Sequence, residues 1–220
     1  MQASELKRLG EAIEDRSQVL ALGLSDAAAQ RGLLDVGYGF ADSPFGRLLV
    51  AMTRRGLVTL VYPEESPEDA LERIAARVSP RVLESVRATD QIRRELDEYF
   101  EQRRRTFSVP VDLRLTRGFN QKVLEQTARI PYGSVSTYRE VSARAGSPQG
   151  MRAAGQALAS NPVPIMVPCH RVVRTGGALG GYAGGTDRKA ALLELEGALQ
   201  AGEERWLGRT SGRAVRRRWS

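Results

Sequence analysis

The sequence predicts an α+β protein, with a small N-terminal α/β unit followed by a mostly helical C-terminal unit that contains a helix-turn-helix. Three observations predict it. Short apolar runs broken by turn residues fill positions 36–61. Three helix-period segments follow one another between positions 118 and 160, the last two joined by a four-residue turn. The charge changes sign between the halves: residues 1–110 hold 16 Lys+Arg against 18 Asp+Glu, and residues 111–220 hold 17 against 8. A chain of 220 residues has length for one large domain or two small ones.

Residues 1–30 read as a helical extension. Leu6, Leu9, Ile13 and Leu20 share a helical spacing over 4–22, Ser4 is a candidate N-cap and Gly23 ends the segment. The first unit spans 31–112. Arg47–Thr53 and Leu57–Tyr62 are apolar runs joined by Arg54-Arg55-Gly56, which predicts a hairpin. Positions 69–78 and 91–102 have helical periodicity. Val109–Leu113 reads as one more strand, at an edge because of Pro110. No chemistry is evident in this half.

The second unit spans 113–200. A helix is expected over 118–130, stopped by Pro131. Another follows over 137–145, opened by a capping box of Thr137 and Glu140. A turn at 146–149 leads to a third helix over 150–160, built of small residues. The proline-rich loop 161–168, a glycine-rich stretch over 176–185 and a helix over 187–197 complete the unit. Residues 201–220 read as a disordered, Arg-rich tail.

Composition excludes several classes. No apolar run approaches the roughly 20 residues of a spanning helix. The charged N-terminus has no apolar signal core, so a cytoplasmic location is expected. Cys169 is the one cysteine and His170 the one histidine, which excludes an internal disulfide and a four-ligand zinc site. No metal or cofactor is expected. The net charge of +7, concentrated in the second half, suits a polyanion partner, although it also serves solubility.

Two constellations carry the chemistry. In Pro168-Cys169-His170-Arg171 the thiol is flanked by groups that are or can become cationic, which predicts a lowered thiol pKa and a nucleophilic thiolate. His170 would act through a bent backbone or a bridging water, with Glu194 or Glu196 orienting the imidazole. In the second helix of the pair, Ala153, Ala154, Gly155 and Ala157 allow close approach to another surface, with Arg152 as the long side chain near its start. Such a helix suits shape and backbone recognition in a minor groove. Tyr182, in the glycine stretch, could stack on a flat ring.

Ile165-Met166-Val167-Pro168-Cys169-His170-Arg171-Val172-Val173 resembles the active-site signature of the O(6)-alkylguanine-DNA alkyltransferases. The likeness runs from about Phe119 to Gly197 and takes in Tyr138, Arg152, Asn161-Pro162-Val163-Pro164, Tyr182-Ala183-Gly184-Gly185 and Glu196-Gly197 in family order. Phe40 to Gly46 also resembles the opening strand of that family's ribonuclease-H-like N-terminal domain. The resemblance implies direct-reversal repair: irreversible, once-only transfer of an alkyl group from O(6)-alkylguanine in double-stranded DNA, with O(4)-alkylthymine left open as a second substrate, to Cys169 after base flipping. It implies that His170 takes the thiol proton through water and that Glu196, rather than Glu194, orients His170. Tyr138 helps turn out the nucleotide, Arg152 fills the vacated space, and Asn161 ties the helix-turn-helix to the active-site loop. Ala153, Gly155 and Gln156 would face DNA from the same helix. Leu158, Pro164, Val172, Tyr182 and Ala183 would form the substrate pocket. The implied partner is lesion-bearing duplex DNA, bound by a monomer, with cooperative assembly on DNA left open.

The sequence departs from the family at Gly150-Met151, where many members carry smaller or basic residues, and at Ala183, where some carry serine. A recognition protein for alkylated guanine without transfer is the alternative reading. A Cys-His hydrolase and a transcription regulator are further rivals. The first would leave the helix-turn-helix unexplained, and the second would tolerate loss of Cys169.

Overall fold

The computed structural model describes residues 34–199. The helix expected over 4–22 and the tail over 201–220 lie outside the described residues. Among the described residues no helix is long and apolar enough to cross a membrane.

The first half is a four-stranded sheet with a helix on each face. The strands are β1 (Val36–Ala41), β2 (Leu48–Thr53), β3 (Gly56–Val61) and β4 (Val82–Glu84), in the order β3-β2-β1-β4. The hairpin predicted at Arg54-Arg55-Gly56 is present, with β1–β2 and β2–β3 antiparallel and β4 added parallel to β1. Side-chain alternation sorts the faces. Val36, Leu49, Ala51, Val58 and Val61 face helix α1 (Pro67–Arg77), which contributes Ala70 and Ile74. Ala41, Leu48, Val50, Leu57 and Leu60 face helix α2 (Val86–Phe100), which contributes Ile92, Leu96 and Tyr99. Helix α2 lies close on β1 because Gly37 and Gly39 leave room for it. A Cβ at Gly37 would stand 2.5 Å from the Ala88 Cβ, and one at Gly39 would stand 2.6 Å from the Thr89 Oγ1.

Two boundaries shift for a capping reason. Ser66 accepts from the Asp69 N–H with Pro67 next to it, so α1 starts two residues before the expected 69. Ser85 accepts from the Ala88 N–H, so α2 starts at Val86 rather than 91. The strand expected at Val109–Leu113 is corrected to a single bridge between Leu57 and Val111. Pro110 has no N–H to give; its carbonyl takes the Leu57 N–H at 2.9 Å, and Asp112 then accepts from Arg114 N–H to open a 3-10 turn at Leu113–Leu115.

The second half contains α3 (Gly118–Thr127), α4 (Tyr138–Arg144), α5 (Met151–Ala159) and α6 (Thr186–Leu195), with short parallel strands β5 (Ser136–Thr137) and β6 (Val172–Val173). The Thr137–Glu140 capping box opens α4, and α4 and α5 form the helix-turn-helix. One apolar core runs through both halves, from Leu48 and Tyr99 to Val163, Cys169 and Leu192. The loop after α5 docks on the outer edge of β3, where Leu60 N–H donates to the Pro162 carbonyl at 2.8 Å. That bond sets the position of the segment leading to Cys169.

Candidate active site

Cys169 opens a 3-10 turn, Cys169–Arg171, placed by Pro168 just before it. The turn supplies the bent backbone that lets neighbouring side chains act on one site. The preceding loop is conformationally demanding: Ile165 is buried with φ of 72°, a left-handed geometry unusual for a β-branched residue. Asn161 braces this loop. Its side-chain N–H groups donate to the Val167 carbonyl at 2.8 Å and to Cys169 Sγ at 3.2 Å, while its Oδ1 accepts from Val163 N–H at 3.1 Å.

His170 is fully buried, and its Nε2 lies 2.9 Å from Glu196 Oε1. A carboxylate only accepts, so Nε2 carries the proton and Nδ1 of the neutral ring holds a lone pair. Nδ1 has no hydrogen-bond partner among the described residues. Burial lowers the His170 pKa against the opposing pull of Glu196, which keeps the ring neutral and basic. Glu196 follows the last turn of α6. Burial pushes its carboxyl up, but hydrogen bonds from His170 and Arg171 and their charges outweigh that effect, and its pKa falls to about 2.

Arg171 grips Glu196 with two nitrogens at 2.8 Å each, and its third reaches the Ile130 carbonyl at 2.6 Å. Its charge is thus engaged by Glu196. This corrects the expectation of a lowered thiol pKa: burial raises the Cys169 pKa, against smaller opposing effects of Asn161, Lys189 and Tyr182. At rest the pair is a neutral thiol beside a neutral imidazole.

Cys169 is reached from two sides. A cavity of about 560 Å³ opens beside the helix-turn-helix, lined by Tyr138, Arg152, Gly155, Leu158, Tyr182 and Ala183 as well as the thiol. Another of about 380 Å³ opens towards the sheet, lined by Tyr62, Asn161 and Pro164 and sharing Leu158, Cys169, Tyr182 and Ala183. The expected pocket residues therefore converge, with one exception. Val172 lines neither cavity; it is fully buried and its carbonyl accepts from Lys189 Nζ at 2.5 Å. On α5, Arg152, Ala153 and Gln156 are exposed and Gly155 is half-buried, while Ala154 and Ala157 are buried in the core. Tyr138 at the start of α4 donates to the Gly181 carbonyl at 3.1 Å.

Four residues of the site were not anticipated in these roles. Lys189 is fully buried, and its ammonium also donates to the Leu179 carbonyl at 2.5 Å, joining β6 to the glycine stretch. Burial brings its pKa down to about 8. Tyr99, from α2, donates to Glu196 Oε1 at 2.7 Å. The hydroxyl of Tyr62 lies 2.8 Å from that of Tyr182. Arg171 was anticipated as a neighbour of the thiol, not as a ligand of the carboxylate. Among the described residues no group of His, Cys, Asp or Glu could hold a metal ion.

Fold and site together define a class: a sheet unit carrying a helix-turn-helix unit whose cleft ends on one buried thiol. Residues 36–113 match the 6-O-methylguanine DNA methyltransferase ribonuclease-like domain, and residues 118–198 match the DNA-binding domain of the same name. The chain belongs to the 6-O-methylguanine DNA methyltransferase family. It is 38% identical over 163 residues to the constitutive methylated-DNA–protein-cysteine methyltransferase of Bacillus subtilis (strain 168), covering 72% of this chain and 94% of that one. The crystal structure of the Mycobacterium tuberculosis O6-methylguanine methyltransferase is similar at a TM-score of 0.64 and 35% identity, over 76% of this chain and 96% of that one. The Mycobacterium tuberculosis OGT in complex with DNA has a TM-score of 0.64 at 36% identity, over 74% and 93% of the two chains.

Proposed function

We propose that this protein repairs O(6)-alkylguanine in double-stranded DNA by moving the alkyl group, once per molecule, onto its own Cys169. One observation carries the reading: the only cysteine of the chain lines a cavity shared with the helix-turn-helix, and the next residue, His170, has a ring nitrogen with no hydrogen-bond partner among the described residues.

The exposed face of α5 enters the minor groove, and Arg152 takes the place of the guanosine as it leaves the stack. The base enters beside Tyr138 and rests against Leu158, Tyr182 and Ala183. Pro164 walls the alkyl group, and the backbone near Ala183 meets the base edge. The thiol proton passes through a water to His170 Nδ1. The resulting imidazolium is stabilised by Glu196, which is already ionised. Cys169 Sγ then bonds to the alkyl carbon as the carbon–O6 bond breaks, and the bond electrons return to guanine, which Tyr138 assists by donation. A thioether remains, with no thiol to act again. The reaction needs no cofactor, and its place is inside the cell, where the thiol stays reduced. The functional division is 31–112 for the sheet unit and 113–200 for the acceptor unit.

The test is mass spectrometry of the protein after mixing with a duplex containing one O(6)-methylguanine. One added methyl, saturating at one per protein and mapped to the Cys169 peptide, is expected. Tight lesion binding without a mass gain would favour recognition without transfer.

A further inference from the structure

Arg188 sits in the first turn of α6, where a cation gains nothing from the helix dipole. Its place is explained by what it touches. One guanidinium nitrogen donates to the Gly184 carbonyl at 2.8 Å, and another donates to Glu64 Oε1, just past β3, at 2.7 Å. The guanidinium carbon lies over the Tyr62 ring, 4.0 Å from its centroid, and 5.2 Å from that of Phe45. The Arg188 side chain is only 11% exposed, although its carboxylate partner is 67% exposed. A guanidinium suits this place better than an ammonium, because it packs on an aromatic ring while its nitrogens donate in two fixed directions.

The segment that Arg188 holds has little rigidity of its own. Tyr182, Ala183 and Gly184 belong to no helix or strand, and glycines flank them at 180, 181 and 185. Gly180 and Gly185 have left-handed φ values of 70° and 87°. A wall built on such a backbone is only as firm as its outside ties. All three residues line the sheet-side cavity onto Cys169, and Tyr182 and Ala183 also line the cavity beside the helix-turn-helix. Tyr138 and Lys189 hold the Gly181 carbonyl at 3.1 and 3.5 Å, the Tyr62 and Tyr182 hydroxyls lie 2.8 Å apart, and Arg188 holds Gly184. The Arg188 contact leaves no slack: a Cβ at Gly184 would stand 2.8 Å from the Tyr182 ring and 2.9 Å from an Arg188 nitrogen. We infer that Arg188 is a positioning residue for the alkylated base: it brackets Gly184 to Glu64 and Tyr62 of the sheet unit and so fixes the wall against which the base rests. The inference rests on the reading of this pocket as the seat of the base. Arg188 makes no hydrogen bond to Cys169 or His170, so its loss should impair the seating of a base without altering the thiol.

The experiment compares the full-length wild type with Arg188→Met and Glu64→Ala. It measures amide hydrogen exchange of residues 181–185, benzyl transfer from the free base O(6)-benzylguanine, and alkylation of Cys169 by iodoacetamide, a small reagent that needs no pocket wall. The free base separates the pocket from DNA binding. Arg188→Met should exchange faster over 181–185 and take the benzyl group roughly tenfold more slowly, about the worth of one hydrogen bond to a charged group. Its iodoacetamide rate at neutral pH should match the wild type, which a general loosening of the fold would not allow. Glu64→Ala replaces an exposed residue and so tests the same bracket without disturbing the core. It should shift exchange and benzyl transfer in the same direction by less, because Arg188 keeps Gly184 and Tyr62. Unchanged exchange in both variants, unchanged benzyl transfer, or an iodoacetamide rate that falls in step with benzyl transfer would overturn the inference. A wild type that takes neither benzyl from the free base nor methyl from lesion DNA, while exchange still quickens in the variants, would sink the repair reading and leave the bracket standing.

Discussion

The Tyr99 hydroxyl, carried by a helix of the sheet unit, donates to Glu196 Oε1 at 2.7 Å. The same oxygen lies 2.9 Å from His170 Nε2 and 2.8 Å from an Arg171 nitrogen. Both halves of the chain therefore meet on the carboxylate that orients the imidazole. Its ionisation is part of the fold as much as of the chemistry.

Replacing Glu196 with Gln should be severe in both respects. Arg171 would keep its buried charge with no carboxylate to meet it, a loss of about 3–5 kcal/mol by analogy with broken buried pairs. Chemical denaturation should show that loss. The Glu196→Gln protein should also transfer alkyl groups more slowly under conditions where it remains folded. Wild-type stability and rate would mean that the carboxylate orients nothing.

Acid should weaken the protein in two stages. The folded His170 binds its proton less readily than in the unfolded chain, so stability is lost as pH falls below the ordinary histidine value of about 6.5. The folded Glu196 carboxyl, at about 2, releases its proton more readily than the unfolded one, so its contribution is complete above about 4.5 and disappears as pH falls towards 2. Denaturant midpoints across this range should decline with acid throughout, and the first stage should be absent from His170→Gln.

Lys189→Met should strand two buried carbonyls, those of Val172 and Leu179, at about 1–3 kcal/mol each. It also removes a positive charge that favours the Cys169 thiolate. Iodoacetamide should therefore react more slowly with the variant at neutral pH, where the wild-type ammonium is still charged. The difference should fade as pH rises past about 8, where Lys189 gives up its proton. Equal rates at neutral pH would remove Lys189 from the electrostatics of the site.

Arg152→Ala should slow repair of duplex DNA far more than reaction with the free base O(6)-benzylguanine. Arg152 is exposed on α5 at the mouth of the cavity rather than at the thiol. Equal losses on the two substrates would end its assignment to base flipping.

Methylation of Cys169 should destabilise the protein. The thiol is 5% exposed, belongs to the core and accepts from Asn161 at 3.2 Å. The added methyl turns the sulfur into a thioether, a weak acceptor for Asn161, at a cost of about 1 kcal/mol. Thermal denaturation of the alkylated and unmodified forms should differ by several degrees.

Much of this was legible because its signals are local. The hairpin turn, the Thr137–Glu140 cap and the small residues of α5 each act within a few positions of where they are read. Cys169 and His170 stood out as the only members of their types. What the sequence concealed is long-range. Tyr99 has the periodicity of a core residue, and its partner lies 97 positions away; Tyr62 and Tyr182 are 120 apart. The expected thiol pKa had the wrong sign because flanking charge is visible in sequence while burial depends on every packed element. Strand β4, three residues long with Leu83 and Glu84 exposed, leaves no usable alternation.

The bond from Leu60 to Pro162 has a consequence for solubility. β3 is an apolar edge strand, and its outer amides are occupied by Pro110 near one end and by Pro162, from the segment that leads to Cys169, near the other. An uncovered edge of this kind pairs readily with strands from other molecules. The loop that leads to the thiol thus doubles as a guard against aggregation, and any event that dislodges it exposes an edge prone to self-association.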